Sequence, residues 1–446
     1  MPERVLAAVR ALRRPRCGYI YDLSVLRARA GRLRSALPQA TLLYAVKANS
    51  HPAVVRTLAS ALDGVDAASS GELDLALSVG ARRVVVSGPA KTDDLLAAAS
   101  RAGALINVES AQELRRVPGG ASVAIRVNRA GGGLSGSHAM AGVPTQFGVD
   151  PSELGSLLWL AQSREVDVRG FHLHTVSNNL DAAAHAAFIR SSLEWSVATA
   201  DEHRLDLRVV NVGGGLGVDY TGDQVFDLSV LAGALTGPAA GSTPVDNAAE
   251  LSEARAIFPP THRGGGGGGG DVARDFDLDF DTSSPPDAVA LPSGVELPRG
   301  VELPRGVELP RGIELILEPG RFLAADAGWY AAEVTDLKQT QGRWFAVLRG
   351  GTHHFRLPAA WGYSHPFTVV PIDEWPYDWP RPSVSDVALD VAGELCTPRD
   401  ILARDAHVTH LRIGDVLLFP RAGAYGWDIS HHDFLRHEHP EFVILT

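Results

Sequence analysis

From about residue 42 onward, short apolar runs rich in β-branched residues alternate with longer stretches whose apolar positions recur every three or four residues. The short runs are residues 42–46, 65–68, 84–87, 104–108, 122–127, 168–174, 208–212 and 313–317. Helical periodicity fills the intervals, as at 53–62, 71–79, 92–102 and 182–200. Strict alternation of strand and helix implies a parallel sheet, and eight such units are the number that closes a barrel. The pattern therefore predicts an α/β fold, a (β/α)8 barrel, with a helix over 24–36 covering its outside.

After Gly320 the pattern changes to β-like runs at 331–338, 344–348, 367–371, 387–391, 416–419 and 442–445, without helical intervals. This predicts a C-terminal all-β domain over 321–446, joined by residues 1–22 through the run 17–21, and a barrel over 23–320. A low-complexity insertion at about 236–311 fits neither pattern. It holds the glycine run Gly264 to Gly270 and three copies of Gly-Val-Glu-Leu-Pro-Arg starting at Gly294, Gly300 and Gly306. Proline blocks ladder pairing and a six-residue period is too short for a solenoid, so the copies read as local duplication of the entry to the eighth strand. A disordered surface loop is the expectation, with a partner-binding tether as its rival.

At 446 residues and 45% hydrophobic composition the chain can bury a barrel core and a second domain. A formal charge of -11 disfavours nucleic acid or an anionic membrane as partner. Cys17 and Cys396 stand far apart without metal-ligand spacing, which fits a reducing compartment. The arginine-rich start lacks the apolar stretch of a signal peptide, and no later run is long enough to span a bilayer. A cytoplasmic protein is expected.

Barrel active sites gather at the C-terminal ends of the strands, and here those ends are polar. The first strand ends in Tyr44-Ala45-Val46-Lys47-Ala48-Asn49, where Lys47 could be a catalyst or a lysine snorkelling from the rim. The seventh runs into Gly213-Gly214-Gly215-Leu216-Gly217, a loop with no side chain to obstruct an anion, and the eighth ends in Glu318-Pro319-Gly320-Arg321. Phosphate sites recur after strands seven and eight of such barrels. A lysine for an aldehyde beside a phosphate cradle describes pyridoxal 5'-phosphate. On the sixth strand His172 and His174 share a face, which is also a metal-ligand geometry, but no third ligand stands at a fitting spacing and no metal is expected.

These motifs, together with Gly393-Glu394-Leu395-Cys396-Thr397-Pro398-Arg399-Asp400 and Gly423-Ala424-Tyr425-Gly426, resemble the fold type III pyridoxal-phosphate decarboxylases, the ornithine and diaminopimelate decarboxylase superfamily, whose barrel is alanine racemase-like. The resemblance implies Lys47 as the lysine that bonds the cofactor, His174 as its ring-stacking residue and Glu318 as partner of the pyridine nitrogen. It places Ser177, Gly213, Gly214, Gly215, Arg321 and Tyr425 at the phosphate, and Asp66 and Arg126 near the cofactor. It further implies a head-to-tail homodimer in which Cys396 reaches the other subunit's site and reprotonates the substrate's α-carbon. An anion beside the ring nitrogen favours its protonated form, whereas alanine racemases of this fold place an arginine there, so Glu318 points to decarboxylation.

Diamine-forming relatives carry an acidic residue after the cysteine; this chain has Thr397. Losing that carboxylate removes a partner for a cationic tail. His353, His354, Arg356 and Arg399 instead offer donors for carboxylates, and the stretches 349–358 and 427–433 resemble decarboxylases of carboxylate siderophore biosynthesis of the staphyloferrin B type. The expected substrate is a small amino acid rich in carboxylates, such as a citryl-diaminopropionate conjugate. The alternatives are decarboxylation of free diaminopimelate, ornithine or lysine, and a catalytically silent homologue that binds a partner.

Overall fold

All eight runs form strands: Thr41–Ala45, Gly64–Ala67, Val84–Val86, Leu105–Val108, Ser122–Arg126, Asp167–His172, Val209–Asn211 and Glu314–Leu317. They close in that order into a parallel barrel, the last pairing back onto the first. The computed structural model describes residues 1–129, 134–136, 138–236 and 312–446, so the insertion, including its repeats, lies outside the described residues from 237 to 311.

Strand side chains alternate between faces, and the barrel uses this to build two layers inside. Leu43, Val85, Leu105, Ala124, Val209 and Ile316 form a closed apolar cluster. The alternate residues, among them Leu42, Tyr44, Val65, Val84 and Val86, belong instead to the large core under the helices. Two residues beyond Val85, Leu105, Ala124, Val209 and Ile316 the chain turns polar, at Ser87, Asn107, Arg126, Asn211 and Glu318, and Asp66 stands two beyond Gly64 on the second strand; all six are buried. The apolar layer closes one end of the barrel, and the polar layer lines its C-terminal mouth.

Outside, the expected first helix spans Leu23–Ala36 and packs on Pro52–Ala61 and Leu228–Thr236. Asp22 caps it, accepting from Ser24 N at 3.0 Å. The helices Ser70–Ser78 and Asp93–Arg101 begin at Ser69 and Thr92, whose side chains cap them in the same way.

The second half forms a mostly antiparallel sheet in the order Thr368–Val370, Val416–Phe419, Gly328–Thr340, Arg343–Leu348, Ser383–Ala392, Ile401–Arg412. Cys17–Asp22 pairs antiparallel with Gly328–Thr340 and parallel with the final strand Glu441–Leu445. The strand Ile401–Arg412 is not foreseen by the hydrophobic pattern. Arg404, Asp405, His407 and His410 interrupt its apolar positions, and its pairing with Ser383–Ala392 fixes it instead. The N-terminal helix Glu3–Ala11 is likewise unforeseen; Val5 and Val9 bury against Ile20, Trp329 and Leu418.

The sheet reaches the barrel through the loop before the last strand. Tyr425 N donates to Ala48 O at 2.8 Å, Asn49 Nδ2 to Gly423 O at 2.9 Å and Ser50 N to Asp428 Oδ1 at 2.7 Å. These bonds clamp the three residues that follow Lys47.

Candidate active site

Lys47 sits in the single 3-10 turn Val46–Ala48, which carries the first barrel strand into the mouth. Its amine lies 3.9 Å from Asp66 Oδ2, and nearly half of the side chain, 46%, is open to the mouth. Removal from bulk water opposes its charge, but the Asp66 carboxylate, the Tyr425 hydroxyl and Glu318 outweigh that and raise its pKa. Asp66 is itself held in place. Its Oδ1 accepts from Ser87 Oγ at 2.6 Å, and Ser87 Oγ accepts from Asn107 Nδ2 at 3.0 Å.

Glu318 faces Lys47 across the mouth and is buried. Asn211 Nδ2 donates to its Oε1 at 2.6 Å, and His172 Nε2 stands 3.8 Å from its Oε2. Burial, then the nearby Asp66, push the carboxyl pKa up to about 8, against the Asn211 hydrogen bond that favours the ionised form. A cationic ring nitrogen is the counter-charge that such a buried carboxylate requires. Burial also keeps His172 and His174 neutral, reinforced in both by Arg126. Both rings lie nearly parallel, 6.4 Å apart.

The glycine loop is shaped by what surrounds it. Gly213 adopts φ +69°, and a Cβ there would lie 2.4 Å from His174 Nδ1; one on Gly214 would lie 2.5 Å from Glu318 O. Glycine takes the conformation at 213 without strain, and lacking a Cβ it allows the close approach at both. Arg321 is buried with its guanidinium over the rings of Trp361 at 4.1 Å and Tyr425 at 4.4 Å. Its Nη1 donates to Tyr220 OH at 2.8 Å, and among the described residues no carboxylate pairs with it. A cation buried in aromatic rings without a counter-ion is a place for an anion. Lysine, buried carboxylate, side-chain-free loop and unpaired arginine together fit pyridoxal phosphate.

Arg126 turns away from that role in part: Glu109 takes its Nη1 at 3.0 and 3.1 Å, and Phe147 covers its guanidinium at 4.4 Å. Ser177 lies in the short strand Val176–Ser177 that follows the sixth barrel strand. Of the residues expected to bind substrate, His353 and His354 are wholly buried within the sheet domain, while Arg356 and Arg399 are exposed and Thr397 half-buried. Cys396 is an exposed free thiol on a loop organised by Asp400, whose carboxylate accepts from Thr352 N at 2.6 Å and Leu395 N at 2.8 Å. No hydrogen bond or ion pair joins Cys396 to Lys47 within the chain.

Asn211, Ser87, Asn107, Glu109, Tyr220 and Trp361 were not foreseen. A signal existed for Asn107 and Asn211, each a polar residue inside an apolar strand run, Leu105-Ile106-Asn107-Val108 and Val209-Val210-Asn211-Val212. For Tyr220 and Trp361 there was none, because only folding brings them to Arg321.

Residues 23–242 match the pyridoxal-binding domain of pyridoxal-dependent decarboxylases. Over its whole length the chain is 33% identical to the 2-[(L-alanin-3-ylcarbamoyl)methyl]-2-hydroxybutanedioate decarboxylase of Staphylococcus aureus, covering 98% of that protein. It is 29% identical to the diaminopimelate decarboxylase of Deinococcus radiodurans, over 96% of this chain and 89% of that one. The fold matches the crystal structure of Helicobacter pylori diaminopimelate decarboxylase complexed with L-lysine, with a TM-score of 0.70 and 21% identity over 96% of this chain and 91% of that one. With the barrel, its polar mouth and a full-length relative in agreement, the chain belongs to the pyridoxal-phosphate-dependent amino-acid decarboxylases of the ornithine and diaminopimelate decarboxylase superfamily.

Proposed function

We propose that the enzyme removes the α-carboxylate of a carboxylate-rich amino acid in siderophore biosynthesis, a citryl-diaminopropionate conjugate or close relative. The observation that carries this is the neutral Thr397 after Cys396, with exposed Arg399 two residues on and Arg356 also exposed in the sheet domain. A cationic substrate tail finds no carboxylate at that position, whereas carboxylates find guanidinium partners. The full-length similarity to the Staphylococcus aureus decarboxylase supports the same substrate class.

In this reading Lys47 provides the amine for the cofactor aldehyde, His174 packs against the ring and Glu318 faces its nitrogen. Ser177, Gly213, Gly214, Gly215, Arg321 and Tyr425 hold the phosphate, with Asp66 and Arg126 setting the charge around Lys47. The bound cofactor supplies an electron sink for the pair left when carbon dioxide departs. Asp66, 3.9 Å from the Lys47 amine, would hold that amine in the mouth. Cys396 of the partner subunit delivers a proton to the substrate's α-carbon, in a head-to-tail homodimer whose two sites straddle the interface. Among the described residues no helix is long and apolar enough to cross a membrane, and a cytoplasmic location accords with the two free cysteines.

Carbon dioxide release is measured from citryl-diaminopropionate, diaminopimelate, ornithine and lysine. Turnover of the conjugate with little from the free diamino acids is expected; turnover confined to those three overturns the substrate assignment. Loss of the visible cofactor band in Lys47→Ala tests the lysine separately.

A further inference from the structure

A second group of polar side chains meets inside the sheet domain, around Glu394. His353 Nε2 stands 3.4 Å from Glu394 Oε1, and His437 Nδ1 stands 3.5 Å from the same oxygen. One ligand atom from each residue lies within 4.8 Å of the other two. Charge-assisted hydrogen bonds to a carboxylate are shorter, about 2.7–2.9 Å. The two separations from Glu394 instead match the roughly 3.3 Å between neighbouring ligand atoms of a tetrahedral ion with bonds of about 2.0–2.1 Å, and the two imidazoles need only draw together from within 4.8 Å. His353 is wholly buried and neither ring nitrogen makes an aligned hydrogen bond. Buried polar atoms are rarely left so, and Nε2 is the one that faces the Glu394 carboxylate.

One cation competes for the position. Arg349 pairs closely with the same Glu394 oxygen, yet it also donates to Glu438 O at 3.2 Å and approaches Glu438 Oε2 at 3.6 Å. A second carboxylate is therefore at hand to take the guanidinium when an ion enters.

We propose that His353, Glu394 and His437 bind a divalent transition-metal ion, zinc by donor type, which fastens the loop that carries Cys396. Two imidazoles and one carboxylate suit zinc or cobalt(II) better than calcium or magnesium, which prefer all-oxygen sets. Glu394 precedes Cys396 by two residues, His353 follows the strand Arg343–Leu348, and His437 precedes the final strand Glu441–Leu445. One ion would join three segments that meet the Cys396 loop, with the fourth coordination position left to water. The role is structural and independent of which substrate the barrel mouth takes.

The test is metal titration of the cofactor-loaded enzyme after chelator treatment, first with cobalt(II) and then with zinc. About one ion per chain is expected, with the visible bands of four-coordinate cobalt, displaced by zinc. His353 is too buried to substitute without risk to folding, so the more accessible ligands carry the test. His437→Ala and Glu394→Gln should each weaken binding at least about tenfold while the cofactor band and melting temperature of the metal-free enzyme stay in place. Arg349→Gln, which removes the competing cation, should tighten binding, and Cys396→Ser should leave it unchanged. Uptake below about a tenth of an equivalent in the wild type, uptake unaffected by His437→Ala, weaker uptake in Arg349→Gln, or loss of uptake in Cys396→Ser each overturns the site.

Discussion

Asn211 ties Glu318 to the glycine loop: its Nδ2 donates to Glu318 Oε1 at 2.6 Å while its Oδ1 accepts from Gly213 N at 2.9 Å. The link closes through the main chain, where Glu318 N donates to Gly213 O at 2.8 Å. One fully buried carboxamide therefore joins the groups assigned to the cofactor's nitrogen and to its phosphate. A shift of either would be felt at the other, since a buried network of this kind has no slack to absorb it.

The burial of Glu318 sets a pH dependence, which the Asn211 bond moderates. Burial raises the Glu318 carboxyl to about 8, far above its ordinary value of about 4.3. In the cofactor-free protein the folded state then holds a proton that the unfolded chain has released, so stability contributed by this group falls as pH rises from about 4.5 to about 8. Denaturation midpoints measured across that range should show a smaller decline in Glu318→Gln than in the wild type. Asn211→Ala removes the donor that favours the anion, so its decline should extend to higher pH. Identical pH profiles in all three proteins would refute the titration.

Gly213→Ala tests the cradle. The added methyl would meet His174 at 2.4 Å, and φ +69° is strained for any residue with a Cβ, at a cost of about 1–2 kcal/mol. The loop must move to relieve both. Cofactor affinity, read by equilibrium dialysis, should fall at least tenfold, a difference of about 1.4 kcal/mol. Gly80→Ala is the control, because it also has positive φ, +74°, but meets nothing within 4 Å of the added carbon. It should lose comparable stability without losing cofactor.

The barrel was legible because most of its strand residues are buried on both faces and so read as short, largely apolar runs. Lys47, Glu318 and the glycine loop were legible because they interrupt those runs at their ends. The strand Ile401–Arg412 was not, since one side of it carries charged residues and its place is set by pairing with Ser383–Ala392. Nor was the aromatic box around Arg321, whose walls come from Tyr220, Trp361 and Tyr425, segments scattered along the chain. His353 and His354 read as donors for substrate carboxylates from their polarity alone. Their complete burial depends on packing that polarity does not report.

Arg321 offers both charge and a flat surface to the rings of Trp361 and Tyr425, and the two contributions can be separated. Arg321→Gln removes the charge and should weaken cofactor retention by about 10–100-fold, the worth of a charge-assisted hydrogen bond of roughly 1.5–3 kcal/mol. Arg321→Lys keeps the charge but loses the planar stack and the fork of donors, so it should fall between glutamine and the wild type. Equal affinity in Arg321→Gln and wild type would remove Arg321 from the phosphate site.

The shared-site dimer has a test that a self-contained monomer cannot pass. Cys396 is exposed on a loop held by Asp400, and nothing within the chain links it to Lys47. If the thiol serves the partner's mouth, Lys47→Ala and Cys396→Ala damage different halves of each site. In a mixed dimer one site then receives both lesions and the other receives none. Statistical re-association of equal amounts puts half the dimers in the mixed form, each with one intact site of two, so activity should recover to about a quarter of the wild-type level. Each variant alone should stay near its own background. If the lysine and cysteine of one chain instead serve the same site, every site in every dimer carries one lesion and mixing restores nothing.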